Sequence, residues 1–452
     1  MNTSFEQGGP PAPRLANSWR MLVDTLTVGG WTAVSKVAGA LKVILAARLF
    51  GAGDVMDAFL IAFLVPAFFM DILASPLDSA LVPSIVEARE KHGKVQAEAL
   101  FAAALAGVGA TFLVTALLAA ASSGWLLMAL APGFSSTKLA LTERLLLTML
   151  LVIPLSGLSC TCRAVLNAYH RFAFSAIIPA LTPMASIVAL LIAGKRYGVM
   201  ALAAGTVSGA GLETLLGFAG VRKLGYSVLP RWTGVTAALR QVAAQYGPLV
   251  AITLVITGST LVDQGMAARL GSGSVAALSY GTKLLGVLIV IGPTAVGTAV
   301  LPHFSAAATR RQPGAGTYML RSYGFYVAAL ILPATASLIY FSGPIVQVLF
   351  QQGAFSQTAA HLVANVQAAS LLQLPITVLL VLEIRLTSAW QANRLLYRVA
   401  ALSLVLTVAL DLAGMRWLGV IGIPLAGIVV RLVSALYLSC KIYLFRLTPS
   451  GF

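Results

Sequence analysis

The sequence predicts an all-α integral membrane protein with about twelve transmembrane helices, set as two pseudo-symmetric six-helix lobes around a central cavity. Three observations carry that class. Of 452 residues, 59% are hydrophobic and only 10% are charged, against about 25% charged in soluble domains. Apolar runs of about twenty residues, the length that crosses a hydrocarbon core, recur about twelve times. Short motifs also repeat at an offset of about 220 residues, which points to a duplicated half.

The expected spans lie near 24–48, 55–85, 97–121, 143–166, 172–194, 198–220, 244–266, 274–302, 319–345, 359–386, 396–415 and 420–445. Pro66, Pro76, Pro154, Pro179, Pro183, Pro293, Pro333 and Pro375 interrupt several of them. A proline frees a backbone carbonyl and kinks the helix, which a membrane tolerates where neighbours or cavity water satisfy the freed group. Residues 1–21 are polar and rich in Pro and Gly, and are expected to form a disordered cytosolic tail; no cleavage site follows a short apolar core, so a signal peptide is not expected.

The net charge of +16 resides in basic residues scattered singly between apolar runs, not in a patch that would bind nucleic acid. They act as topology signals instead. With the N-terminus inside, roughly seventeen Lys and Arg fall in inner loops and six in outer ones, which the positive-inside rule reads as both termini cytoplasmic. The three cysteines, Cys160, Cys162 and Cys440, have no His or further Cys at ligand spacing. Neither a disulfide framework nor a metal site is expected.

The repeat pairs Gly51-Ala52-Gly53-Asp54-Val55 with Gly271-Ser272-Gly273-Ser274-Val275, and Leu81-Val82-Pro83-Ser84 with Val300-Leu301-Pro302-His303. It continues with Gly133-Phe134-Ser135-Ser136-Thr137 against Ala354-Phe355-Ser356-Gln357-Thr358, and with Arg196-Tyr197-Gly198 against Arg416-Trp417-Leu418-Gly419. Six spans per half keep both halves in one orientation, the parallel-repeat plan of transporters whose site lies between the halves near the midplane. The expected division is an N-lobe over 22–220, a cytoplasmic linker over 221–240 and a C-lobe over 241–452.

Charged residues inside spans cost several kcal/mol and normally face a bundle interior or a wet cavity. The first span carries Lys36, Lys42 and Arg48; at about 100° per residue these point in three directions, so they cannot all face one cavity. Arg48 is expected to snorkel to headgroups. Lys36 sits mid-membrane, either on a substrate phosphate or in an ion pair with an acid of the second span. Asp57, Asp71 and Asp78 fall within about 60° on one helical face. Two readings stand for that stripe: it binds a coupling cation or relays protons, or it neutralises Lys36, Lys42 and Lys283 across the cavity. Glu213, Asp263, Asp411 and Arg431 are expected in inter-span pairs, and Glu383 with Arg385 in a similar role in the second lobe.

The runs Ser35-Lys36-Val37-Ala38-Gly39, Ala47-Arg48-Leu49-Phe50-Gly51-Ala52-Gly53, Met56-Asp57-Ala58-Phe59 and Ile61-Ala62-Phe63 resemble the N-terminal signature of the MurJ (MviN) family. Looser matches are Leu130-Ala131-Pro132-Gly133-Phe134, Leu166-Asn167-Ala168-Tyr169-His170-Arg171-Phe172, Gly273-Ser274-Val275 and Leu349-Phe350-Gln351-Gln352-Gly353-Ala354-Phe355. That family comprises lipid II flippases of the multidrug/oligosaccharidyl-lipid/polysaccharide exporter superfamily. The resemblance implies a lipid-linked sugar diphosphate as substrate, turned over across the bacterial inner membrane by alternating access. It also implies a diphosphate site at Lys36, Lys42 and Lys283, where the family usually has Arg, and a matching acid at Asp57. Family members often carry two further C-terminal spans, expected to be absent here. Where the family typically has an arginine pair and an acidic-Gly motif, this chain reads Phe69-Met70-Asp71-Ile72-Leu73-Ala74-Ser75-Pro76, so a cavity cation is lost and an acid gained.

No catalytic constellation, Walker lysine motif or nucleophile elbow occurs, so a transporter without cofactors is expected, acting as a monomer among membrane lipids with a possible coupling cation or proton. A lipid-linked exopolysaccharide repeat-unit flippase is the alternative within transport, and a cation antiporter of the same superfamily fits the acidic stripe better than the basic cavity. A non-transporting envelope scaffold is the alternative outside transport. Mid-span cations in both lobes, Lys36 and Lys283, speak for transport, because a scaffold has no reason to bear their cost.

Overall fold

In the computed structural model the described residues are 15–232, 234, 236–289, 300, 304, 315–390 and 392–447, and no strand occurs among them. The first helix, α1 (Leu15–Phe50), begins inside the stretch expected as tail, because no Pro or Gly interrupts the chain between Leu15 and Val28. After a turn at Gly51, whose φ of 67° suits glycine, α2 (Asp54–Phe69) runs through a π-helical turn (Met70–Ala74) into α3 (Ser75–Ala121). Gly93, at φ 84°, breaks α3 where a loop between two spans was expected. The first half continues with α4 (Ser123–Leu130), α5 (Ser136–Met149), α6 (Val152–Ala168), α7 (Phe172–Ile177), α8 (Leu181–Tyr197) and α9 (Val199–Lys223).

The second half holds α10 (Ala237–Ala267), α11 (Ser274–Gly281), α12 (Ala315–Tyr340), α13 (Ser342–Phe350), α14 (Gln357–Leu371), α15 (Gln373–Ala389), α16 (Asn393–Leu418) and α17 (Gly422–Leu447). Seven helical stretches among the described residues are long and apolar enough to cross a membrane, against the twelve spans expected. Part of the difference is that Asp54–Ala121, at 68 residues, and Arg394–Leu444, at 51, each contain two expected spans. Pro293, the Leu301-Pro302-His303 part of the repeat, and Arg14, Arg310 and Arg311 lie outside the described residues.

The duplication is visible in local geometry. Ser135 caps α5 by accepting from the Lys138 N–H and lies 3.2 Å from Thr137 Oγ1; Ser356 caps α14 by accepting from the Ala359 N–H and lies 3.1 Å from Thr358 Oγ1. Each cap satisfies a backbone donor that a helix start leaves open. Gly198 and Gly419 likewise share one conformation, φ 57° and ψ −137° against φ 59° and ψ −140°.

The chain that follows α9 is strapped to the first half. Lys94 Nζ donates to the Leu224 carbonyl at 2.8 Å, Ser227 N–H to Glu98 at 2.8 Å and Arg231 N–H to the Ala102 carbonyl at 3.3 Å, while the Tyr169 and Tyr226 hydroxyls lie 2.8 Å apart. α10 then leans on the first half: Val242 joins its core with Leu81, Phe101 and Val165, and Tyr246 donates to the Leu73 carbonyl at 2.6 Å.

Candidate functional site

The two halves meet at one end of the bundle in a single apolar core. Met56, Phe59, Leu130 and Phe134 of the first half pack with Met266, Val275, Tyr280, Phe350 and Phe355 of the second. Tyr280 stacks on Phe350 with ring centroids 5.3 Å apart. Backbone meets backbone around this core: Ala354 N–H donates to the Arg48 carbonyl at 2.8 Å. A Cβ on Gly353 would collide with the Arg48 carbonyl, and one on Gly273 with the Ala52 carbonyl; both glycines also have positive φ, 69° and 82°. Glycine is what lets the two halves approach this closely. That end of the structure is sealed.

Asp57 lies in the seal. Its side chain is 1% exposed. Gly273 N–H donates to Oδ2 and Ala276 N–H to Oδ1, each at 2.8 Å, so the carboxylate caps the start of α11 in the other half. A negative charge there is favoured by the helix dipole as well as by the open N–H groups. Lys138 Nζ completes the cluster, 2.9 Å from Asp57 and 2.7 Å from the exposed Asp54, and stands 3.9 Å from the centre of the Phe134 ring. Asp57 therefore binds the second half of the chain, where the resemblance implied a substrate site. Arg48 also takes part in the seal: its carbonyl is bonded across the halves, and its Nε is buried without a hydrogen bond.

A second charge cluster lies farther inside. Lys36 and Asp71 of the first half and Lys283 of the second lie near enough for the Lys36 charge to act on both Asp71 and Lys283, and for the Lys283 charge to act on Lys42. Charges from both halves therefore act on one another between the halves. Lys42 is more enclosed, with its ammonium 5.5 Å from the centre of the Phe63 ring. Lys36 and Lys42 point apart along α1, yet Lys283, from the other half, is electrostatically linked to both.

The acidic stripe is not a stripe. A π turn advances less per residue than the about 100° of an α-helix, and Met70–Ala74 lies between Asp57 and Asp78. Asp57 faces the seal, Asp71 faces Lys36, and Asp78 faces into the first half, where Arg163 Nη2 bonds it at 2.6 Å and Cys160 Sγ lies 3.5 Å away. Of the three aspartates, Asp71 is the one on which a charge of Lys36, Lys42 or Lys283 is seen to act, that of Lys36. The partners of the other two are Lys138 for Asp57 and Arg163 for Asp78. Removing the Asp78 carboxylate by Asp78→Asn should destabilise the protein by about 2 kcal/mol, below the 3–5 of a fully buried pair because both side chains are part-exposed; thermal unfolding in detergent checks this.

Asp263 is close enough to Asp411 for a side-chain hydrogen bond and feels the Arg431 charge, an inter-span cluster inside the second half. Glu383 is fully buried and accepts from the Ser439 hydroxyl, while its Oε2 has no partner. Arg385 makes no ion pair among the described residues. Met70, where the family cation was expected, takes a 3.0 Å contact from the Ser156 hydroxyl. Among the described residues no group of three or more His, Cys, Asp or Glu could hold a metal ion.

The family model for "Lipid II flippase MurJ" matches residues 46–444. The chain belongs to the MurJ lipid II flippase family. It is 28% identical over 353 residues to the lipid II flippase MurJ of Burkholderia cenocepacia, covering 76% of this chain and 68% of that protein. To the probable lipid II flippase MurJ of Rhizobium meliloti it is 29% identical over 423 residues, covering 91% and 78%. Among solved structures, a lipid II flippase MurJ in an inward closed conformation superposes with a TM-score of 0.78 at 19% identity, covering 92% of this chain and 87% of that one. An inward-facing multidrug resistance MATE family transporter of the MOP superfamily gives 0.77 at 14% identity, covering 93% and 96%. The fold is that of MurJ and MATE proteins, and the chain is a multi-pass membrane protein of that kind.

Proposed function

We propose that this chain translocates lipid II across the bacterial inner membrane by alternating access, with the sealed end facing outward and both termini in the cytosol. Family membership supports the substrate, and one observation supports the mechanism: Lys36 and Lys42 of the first half and Lys283 of the second act on one another's charge, while the halves touch directly at one end. A diphosphate carries the charge to satisfy Lys36, Lys42 and Lys283 together. Lysine offers point charges, not the bidentate fork of arginine, so the headgroup is held by charge more than by fixed geometry. Unliganded like charges repel and favour an open space; a bound diphosphate removes the repulsion and lets the open end close, which requires the seal at the other end to part. The division into lobes over 22–220 and 241–452, transport without catalysis, and function as a monomer belong to the same proposal.

Complementation of a strain depleted of its lipid II flippase tests the substrate. Growth restored by this chain supports lipid II; failure at normal abundance, with transport of a lipid-linked exopolysaccharide unit, would favour the runner-up that Met70 in place of a cavity cation suggests. Orientation has its own test. Cysteines placed at Lys94 and Arg231 should resist impermeant maleimide in intact cells, while those at Ser136 and Ser356 should react; labelling of Arg231→Cys from outside would overturn the topology.

Asp71 is proposed to take part in coupling to a cation or a proton, as the accessible acid of the cavity. Asp71→Asn should then abolish lipid II turnover while leaving substrate binding within a few-fold. If Asp71 serves only to balance Lys36, turnover persists and Asp71→Asn with Lys36→Gln restores abundance better than either change alone, as a double-mutant cycle detects.

A further inference from the structure

We infer that Lys138 is the counter-ion that lets the seal close, and that it does so from within the half that carries Asp57. This rests on the alternating-access reading and adds to it a residue that sets the balance between sealed and parted states. The seal joins two chemically unlike surfaces. On one side are Asp57, Asp54 and Lys138, all of the first half; on the other are the Gly273 and Ala276 N–H groups at the start of α11. When the halves part, the N–H donors leave with the second half, while Lys138 stays with the two aspartates.

Closing the seal takes the Asp57 carboxylate out of water, to 1% exposure, and the Lys138 side chain to 8%. A carboxylate buried alone is strongly disfavoured, and removing one member of a buried pair destabilises far more than the pair is worth at a surface. Two N–H bonds at a helix start offset part of that cost; the ammonium at 2.9 Å offsets more. With the seal parted, water reaches Asp57 and the same ammonium matters little. Lys138 therefore favours the sealed state selectively, and only selective stabilisation shifts an equilibrium.

Lys138 is built to hold this position. Its backbone N–H donates to the Ser135 cap, and Thr142 Oγ1, one turn on, donates to its carbonyl at 2.7 Å, fixing the first turn of α5. Phe134 lies beneath the ammonium, and a ring face attracts a desolvated cation. Asp54, 60% exposed, keeps the lysine from being pulled wholly toward Asp57 and leaves the cluster with a net negative charge facing the α11 start. At the equivalent place in the repeat the residue after Thr358 is Ala359, so the device exists in one half alone.

The test uses the full chain in lipid nanodiscs with Cys440→Ser and spin labels at Leu49→Cys and Gln352→Cys, exposed positions flanking the Arg48 contact with Gly353 and Ala354. Lys138→Met should raise the ratio of long to short label distances by on the order of tenfold, and Lys138→Arg should leave it within about twofold because the charge remains. In an Asp57→Asn chain the added Lys138→Met should produce no further opening, since the charge it balanced is gone. Unchanged distances in Lys138→Met, or an equal shift with and without Asp57, would reduce Lys138 to packing and overturn the inference. If Lys138→Met does not fold, the inference requires the Asp57→Asn/Lys138→Met chain to regain yield, and failure to do so overturns it. A parent chain that shows one distance under every condition, lipid II included, would count against alternating access itself, which separates the two claims.

Discussion

A chain carrying Lys36→Ala and Lys283→Ala together should accumulate normally in the membrane and lose lipid II turnover by on the order of a hundredfold or more. Each lysine supplies a charge-assisted contact worth about 1.5–3 kcal/mol, and about 1.4 kcal/mol corresponds to a factor of ten, so two lost contacts reach at least a hundredfold. Abundance should hold because neither ammonium is in a short ion pair: the salt bridges among the described residues use Arg89, Lys91, Lys138 and Arg163. Removing two repelling cations from one space relieves the fold. Lys36→Arg and Lys283→Arg should each retain activity, because the guanidinium keeps the charge and adds a fork that fits phosphate. Transport of fluorescent lipid II into the outer leaflet of proteoliposomes, normalised to incorporated protein, measures both. Full activity of the double alanine chain would remove the diphosphate clamp from the mechanism.

The second large effect is expected from a single methyl group. Gly353→Ala puts a Cβ against the Arg48 carbonyl, a backbone atom that cannot rotate away, at a residue whose φ of 69° already disfavours any side chain. The left-handed conformation costs about 1–2 kcal/mol for an L-residue, and the collision adds to it only when the halves touch. The protein should therefore fold, with the seal unable to form. Labels at Leu49→Cys and Gln352→Cys should move almost wholly to the long distance, and turnover should fall at least tenfold, since a gate that cannot shut cannot alternate. Gly271→Ala is the control: it lies two residues from Gly273, has open space around it and should behave as the parent chain does. Equal behaviour of Gly353→Ala and Gly271→Ala would show that the contact does not gate transport.

Membrane insertion, the helical class, the family and the duplicated turns at Ser135 and Ser356 could all be read from the chain itself. The reason is that each depends on local or periodic properties: the length of apolar runs, the chemistry of a helix cap, a glycine needed after Tyr197 and after Leu418. Lys36, Lys42 and Lys283 were legible as well, because a lysine inside an apolar run is costly wherever the run is placed. Their convergence was not, since Lys283 reaches the others across the two halves.

Tertiary structure decided the partners. Asp57, Asp71 and Asp78 share one face of an ideal helix, but they stand at the start of α2, in a π turn that no local motif announces and in α3, and each meets different neighbours. Lys138 reads in sequence as one more outer-loop cation; only the packing of α2 against α5 makes it the counter-ion of a buried carboxylate. Gly273 and Gly353 read as turn residues, and only contact between the halves turns their missing side chains into a condition for closure. An amino-acid sequence determines which groups are costly to bury, because that is a property of each residue. Which group compensates the cost is a property of distances between elements far apart in the chain, and those exist once the helices have packed.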